Sequence, residues 1–269
     1  MRNLPLIAFF SLIILSACRK NDYTILESHD SNQEYNVSFT TLNTGKSGST
    51  PKTLNDAKPE YTRIYNLDNG GILVSSSKVN NKLAAGNYVA IFVYSNTFFS
   101  RVYGLGGSTE GFSFDNSFFD TRLSVATQGL PIDDIFYKKV YFKVKHKDVS
   151  QIVELGRIVA DLEVIIGDEM PAVVARLELS VNDQAIFKFN NDSRESPIDK
   201  IKNFLPTEKV LNAYVLGQGS RAVTIKAYDA TGGVLKEKRM MATFTEGKKT
   251  VVNVNLFSDT TTPFALATY

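Results

Sequence analysis

The sequence predicts an all-β protein, and three observations carry that expectation. Phe and Tyr number 18 and 12 with no Trp, and they stand among many Val, Ile and Thr, the residue types that suit a pleated, half-buried surface. Apolar residues recur at every second position in short runs, the period of a strand with one buried face. Asn, Asp and Gly punctuate these runs at close spacing in the last hundred or so residues, as in a sandwich or barrel. Hydrophobic residues at 43% and charged residues at 22% are globular values, so a packed core is within reach of the composition. The 30 basic and 28 acidic residues are scattered, which leaves no electrostatic footprint for nucleic acid.

The chain opens with Arg2 and an apolar run over residues 4–15, too short for a bilayer crossing, which takes about 20 residues. With small residues leading into Cys18, it reads as a secretory signal. Leu15-Ser16-Ala17-Cys18 resembles the lipobox of bacterial lipoproteins. That resemblance implies cleavage after residue 17 and acylation of Cys18, the only cysteine. Each buried methylene of an acyl chain contributes about 0.8 kcal/mol, so several chains on one residue hold a protein at a membrane. With Cys18 acylated, no disulfide forms within the chain. Residues 18–34 are polar and read as the lipidated cysteine and a flexible spacer. A long acidic run after Cys18, which would resemble a surface-export signal, is absent.

Residues 35–41 alternate Tyr35, Val37 and Phe39 against Asn36, Ser38 and Thr40, giving a first strand. Residues 43–59 are rich in Gly, Ser, Thr, Lys and Pro and read as a loop. Asn66-Leu67-Asp68-Asn69-Gly70-Gly71 between Ile64-Tyr65 and Ile72-Leu73-Val74 predicts a hairpin, because Asn and Gly accept positive φ at low cost. Residues 86–94 are mostly apolar, the pattern of a strand buried on both faces. Residues 98–131, with four glycines between Gly104 and Gly111 and the pairs Phe98-Phe99 and Phe118-Phe119, read as loops around one or two short strands. In residues 137–145, Val140, Phe142 and Val144 alternate with Lys139, Lys143 and Lys145. This predicts a strand with one cationic, solvated face, suited to a sheet edge.

The pattern breaks over residues 146–151, which places a domain boundary there and divides the folded chain into 35–148 and 149–269. Residues 152–166 hold at least one long strand, and Gly167-Asp168 a turn. Residues 173–181 and 186–189 read as further strands, with a helix over part of 172–179 as the alternative. Residues 190–202 are polar and read as a loop, and short strands follow at 210–216, 223–228, 234–240 and 251–256. Tyr65-Asn66-Leu67-Asp68-Asn69-Gly70-Gly71-Ile72-Leu73 parallels Tyr228-Asp229-Ala230-Thr231-Gly232-Gly233-Val234-Leu235, and Gly86-Asn87-Tyr88-Val89 parallels Gly247-Lys248-Lys249-Thr250-Val251. The matched units suggest two similar domains in tandem, although Gly-Gly hairpins also recur by chance in β proteins.

Catalytic and metal chemistry find little support. Acyl transfer needs a nucleophile, a base and an orienter, but His29 falls in the spacer and His146 at a lysine-flanked strand end. No Gly-x-Ser-x-Gly elbow occurs, and the glycines at 104–111 lack the Gly-Lys-Ser/Thr of a phosphate loop. Two distant histidines without a free cysteine do not make a zinc set. Asp133-Asp134 and Asn190-Asn191-Asp192 carry oxygens of the kind calcium takes, and surface turns account for the same residues. No cofactor, catalytic residue or metal ligand is nominated. Phe98, Phe99, Tyr103, Phe118 and Phe119 would either anchor a partner or glycan or fill a core beneath loops.

The lipobox, the Asn66–Gly71 hairpin, Leu83-Ala84-Ala85-Gly86-Asn87-Tyr88-Val89-Ala90, Asp134-Ile135-Phe136-Tyr137 and Leu155-Gly156-Arg157-Ile158-Val159-Ala160-Asp161-Leu162-Glu163-Val164 together resemble the FimB-type fimbrial anchor family of the Bacteroidales. The resemblance implies two tandem transthyretin-like β-sandwich domains, held by lipid on Cys18 at the outer membrane. It implies a non-enzymatic anchor or accessory subunit whose partners are other fimbrial subunits, contacted by β-strand addition. Within that reading Phe264 and Leu266, in the tail after the last strand, are the candidate partner-binding residues. A glycan-binding surface lipoprotein for nutrient uptake is the alternative, as is a polymerising pilin cleaved after Lys46, Lys58 or Arg63.

Overall fold

The computed structural model describes residues 33–43, 52–53, 61–76, 80–95, 102–103, 113–121, 134–258 and 266–268. These form β-strands, one 3-10 turn at Phe114–Asn116 and no α-helix, as the alternation and turn chemistry lead one to expect. In the first half the strands are β1 (Glu34–Asn43), β2 (Lys52–Thr53), β3 (Tyr61–Asn66), β4 (Ile72–Ser75) and β5 (Asn80–Ala84). They continue with β6 (Gly86–Ser95), β7 (Val102–Tyr103), β8 (Phe118–Asp120), β9 (Ile135–Val144) and β10 (Val149–Arg157). The second half holds β11 (Ala160–Ile166), β12 (Arg176–Lys188), β13 (Arg194–Phe204) and β14 (Val210–Val215). Its last strands are β15 (Gly219–Tyr228), β16 (Val234–Phe244), β17 (Lys249–Val254) and β18 (Leu266–Thr268).

In the first half, β1 is flanked by β5, by β2 and by a parallel partner, β10, with Val37 opposite Val149. β9, β6, β3 and β4 form a second row of neighbours. The β9–β10 hairpin links the two rows, its strands pairing at Gly156 opposite Tyr137 and Arg157 opposite Phe136. Between the rows lies one core, with Tyr35, Val37, Val153 and Leu155 from one side meeting Ile64, Phe92, Phe136 and Phe142 from the other. The second half repeats one feature of this plan. β11 and β17 pair in parallel, Asp161 opposite Lys249, with β14 on the other edge of β11. Leu162, Val164 and Val252 of this sheet pack on Leu177, Leu179 and Ile225 of a facing sheet that contains β12, β15 and β16.

The apolar run of β6 is buried on both faces, as its sequence predicts, and each face serves a different core. Tyr88, Ala90 and Phe92 point into the first-half core, whereas Val89, Ile91 and Val93 belong to a separate cluster with Phe119, Tyr137, Ile158, Val159, Phe187, Phe189 and Leu216. That cluster draws on both halves of the chain. The halves also share a sheet, because β8 pairs antiparallel with the end of β12, Phe119 opposite Phe187. Two backbone bonds extend the seam, Thr121 N donating to the Ala185 carbonyl at 2.7 Å and Phe189 N to the Ser117 carbonyl at 3.0 Å.

The long run 152–166 resolves into two strands, separated at Ile158 and Val159, whose side chains are buried in this shared cluster. The expected division at 148/149 falls between β9 and β10, and β10 hydrogen-bonds to β1 and β9 of the first half. The sheets therefore change hands after Arg157. At 137–145 the lysine-bearing strand is β9, and it is paired along its whole length with β6. Its Lys139 is not part of a solvated face: Nζ donates to the carbonyls of Phe189 and Asn190 at 2.9 and 3.0 Å and to Asp192 Oδ1 at 3.0 Å. Residues 194–202, read as loop from their polarity, form most of β13, which runs antiparallel along β12 from Phe204 to Arg194. It is polar because it is an edge strand; Pro197 and its lysines are edge devices. The alternative helix at 172–179 is a single turn, Val174 N to the Pro171 carbonyl, leading into β12.

Both predicted hairpins form with their turn carboxamide or carboxylate capping the loop. Asn66 Oδ1 accepts from Asp68 N and Asn69 N at 2.9 and 3.2 Å, with Gly70 and Gly71 at φ 68° and 70°. Asp229 Oδ1 accepts from Thr231 N and Gly233 N, both at 2.8 Å. The second correspondence of the repeat diverges, since β6 pairs with β3 of its hairpin whereas β17 pairs with β11 in the opposite sheet.

Phe187 touches Phe119, Tyr137 and Phe189 at ring centroid distances of 5.2, 4.9 and 6.3 Å. Phe187→Ala is expected to lower unfolding stability by about 3–5 kcal/mol. Chemical denaturation checks this, and a loss confined to one of two resolved transitions would contradict the shared role of the cluster.

Candidate functional site: the C-terminal strand edge and a buried ion pair

Of the residues nominated from sequence, Cys18 and Phe264 lie outside the described residues, as do His29, Phe98 and Phe99. Leu266 begins β18 and stands opposite Val252 of β17, with Ala267 opposite Val251 and Thr268 opposite Thr250. Residues 266–268 thus form a three-residue strand on the edge of the sheet β14-β11-β17-β18. An edge strand presents unpaired backbone groups that a further strand can satisfy.

The approach to that edge is built by Asp168, in the turn read from Gly167-Asp168. Its carboxylate accepts from the backbone N–H groups of Leu256 at 2.9 Å, Phe257 at 2.5 Å and Ser258 at 2.9 Å. Gly167 N donates to the Val254 carbonyl at 2.8 Å. Leu256 is buried in the second-half core, so the chain leaves β17 along a fixed path. Burial pushes the Asp168 carboxyl up, but the three backbone donors outweigh it and hold its pKa below the usual value. On the other edge of β17, Lys249 Nζ meets Glu163 at 2.6 Å, and this bond raises the lysine pKa. Thr250, wholly buried, donates Oγ1–H to the Thr243 carbonyl at 2.9 Å and ties β17 to β16.

Of the aromatic candidates, Phe119 falls on the core side of the two readings, and Phe118 is half-buried. Phe119 is fully buried and stacks on Phe187. His146 is exposed and lies against Tyr35, with Nδ1 3.3 Å from the phenol oxygen. Asp134 pairs with Arg157 at 2.6 Å, and Asp192, at φ 57°, pairs with Lys139 and accepts from Tyr137 at 2.9 Å. Each has a partner within the fold. Among the described residues no group of three or more His, Cys, Asp or Glu is arranged to hold a metal.

Sequence reading missed a buried ion pair at the seam. Asp183 follows Leu177, Leu179 and Val181 in the inward phase of β12 and precedes Ala185 and Phe187. A carboxylate at a core position of an alternating strand was a legible signal. Asp183 is 0% exposed; its Oδ1 accepts from Gly217 N at 2.5 Å and Gln184 N at 2.7 Å, and its Oδ2 from Leu216 N at 3.1 Å. Lys200 of β13 places Nζ 2.7 Å from Oδ2 and also donates to the Gln184 carbonyl at 3.3 Å. Asp120 of β8, itself buried, stands opposite Ile186 of β12. Burial pushes the Lys200 pKa down, against the opposing attraction of Asp183 and Asp120.

No protein-family model matches the sequence, and no curated protein matches it either. Solved structures do match. A candidate adhesin from Bacteroides thetaiotaomicron aligns over 85% of this chain and 95% of its own, with 10% identity and a TM-score of 0.54. A candidate adhesin from Bacteroides ovatus aligns over 87% and 96%, with 12% identity and a TM-score of 0.53. The fimbrial anchor protein Mfa2 from Porphyromonas gingivalis aligns over 88% and 96%, with 9% identity and a TM-score of 0.47. At such identities the likeness to the two candidate adhesins is one of fold.

The depressed pKa of Asp168 fixes the sign of its pH dependence. A carboxyl whose folded pKa is lowered stabilises the fold above the unfolded pKa, about 3.9, and loses that contribution as pH falls through the folded value. Asp168→Asn is expected to cost about 2 kcal/mol at pH 7 and progressively less below pH 4. Thermal melts of both proteins across that range measure it; a difference that stays constant with pH would contradict the assignment.

Proposed function

We propose that this chain is a non-enzymatic, lipid-anchored subunit of a cell-surface fimbria, acting as an anchoring or accessory component. The observation that carries the reading is the fold shared with candidate adhesins over more than four-fifths of this chain. The lipobox at Cys18 and the motif resemblance to fimbrial anchors supply the tether and the class of assembly. Two tandem transthyretin-like sandwiches fit the parallel pairing of β1 with β10 and of β11 with β17, which joins an early strand to a late one in each half. The natural division for them lies after Arg157. On this reading Cys18 is acylated at the outer membrane, the protein faces the cell exterior, and other fimbrial subunits meet it by strand addition at the sheet edge that β18 occupies, with Phe264 and Leu266 as contacts.

Two measurements test the two ends of this proposal. Mass determination of the mature N-terminus is expected to find lipid on Cys18, and a start beyond residue 40 would identify a protease-matured pilin instead. Deletion of residues 260–269 is expected to abolish capture of the partner subunit in a pull-down from envelope extracts while the core still folds. Retained capture would remove the tail from the interface.

A further inference from the structure

We propose that Lys200 and Asp183 condense into an intramolecular amide, a covalent rung between β12 and β13. This does not depend on the fimbrial reading, and either can fail without the other. The geometry is already that of reactants held together: Nζ lies 2.7 Å from Oδ2, where the Asp183 side chain is 0% and the Lys200 side chain 12% exposed. The strands hold the pair diagonally, Lys200 opposite Val181 and Asp183 opposite Ile198. Oδ1, the oxygen that stays in the product, accepts from Gly217 N at 2.5 Å and Gln184 N at 2.7 Å. Backbone donors aimed at that oxygen are what a tetrahedral intermediate requires.

The reaction balances without any further reagent. Lys200, whose pKa burial pushes down, passes one proton to Asp183, leaving a neutral amine against a carboxylic acid. The Nζ lone pair attacks Cγ and negative charge develops on Oδ1, under the two N–H groups. One proton passes from the nitrogen to Oδ2. The Cγ–Oδ2 bond then breaks, and Oδ2 departs as water with the acid proton and the one relayed from nitrogen. The product is a neutral amide with one N–H, and a buried ion pair, costly to desolvate, is gone. Gly217 lies close enough that a Cβ there would come within 3.1 Å of Asp183 Oδ1, so the absence of a side chain lets its N–H approach the reacting carboxyl.

The test uses the purified full-length chain and tandem mass spectrometry of its tryptic digest. The expected result is a branched peptide joining residues 177–188 to residues 195–202, lighter than the sum of its parts by one water and uncleaved after Lys200. Asp183→Asn keeps the carbonyl and is expected to give the same branch with loss of ammonia. Lys200→Arg, which keeps the ion pair, is expected to give only linear peptides. A wild-type digest cleaved after Lys200 with no branched species overturns the proposal, leaving an ion pair, and so does a branch that survives Lys200→Arg.

Discussion

The fold depends on one packing constraint: β6 and the end of β12 must each be buried by residues from the opposite half of the chain. Val89, Ile91 and Val93 have no cover in the first-half core, because the other face of β6 fills it. Their cover comes from Phe187, Phe189, Ile158 and Leu216. In return, the edge of β12 that β15 leaves beyond Val181 is taken up by β8 from the first half, at Ile186 to Lys188. Each such aromatic contact adds about 0.5–1.5 kcal/mol beyond the area it buries. The polar groups at the seam follow the same logic: Tyr137 donates to Asp192, Lys139 holds the 189–192 turn, and Asp183 satisfies the Leu216 and Gly217 amides. A buried polar atom left unpaired costs about 1–3 kcal/mol, so these bonds make the arrangement specific as well as tight.

This seam bears on the proposed role. The described chain enters through β1 in the first half and ends at β18 on an edge of the second. For a tethered subunit, load between membrane and partner crosses the seam, and a hinge there would absorb it. A shared core and a shared sheet resist hinging better than a polar interface between separate domains. The Asp168 clamp and the parallel β11–β17 pair extend that rigidity as far as Ser258.

Much of this architecture was legible in the sequence. The period-two runs located most of the strands, and the Asn66–Gly71 and Asp229–Gly233 turns located both hairpins, because those signals arise within a few residues of chain. The two-faced burial of β6 was legible from its unbroken apolar run. What covered each face was not, since the covering residues lie about a hundred positions away. The same limit hides where the strand after the polar break at 146–151 pairs: the break is a hairpin tip, and only the register shows β10 lying parallel to β1. The edge strand β13 was hidden because edges are polar by design. Asp183 was visible in phase with its apolar neighbours, whereas its lysine partner lay in a stretch taken for a loop.

The central claim is that the two halves fold as one cooperative body through this seam. Differential scanning calorimetry of the full chain tests it most directly. A single transition whose calorimetric and van't Hoff enthalpies agree is the result the account predicts. Two separable transitions, each with its own enthalpy, would contradict it.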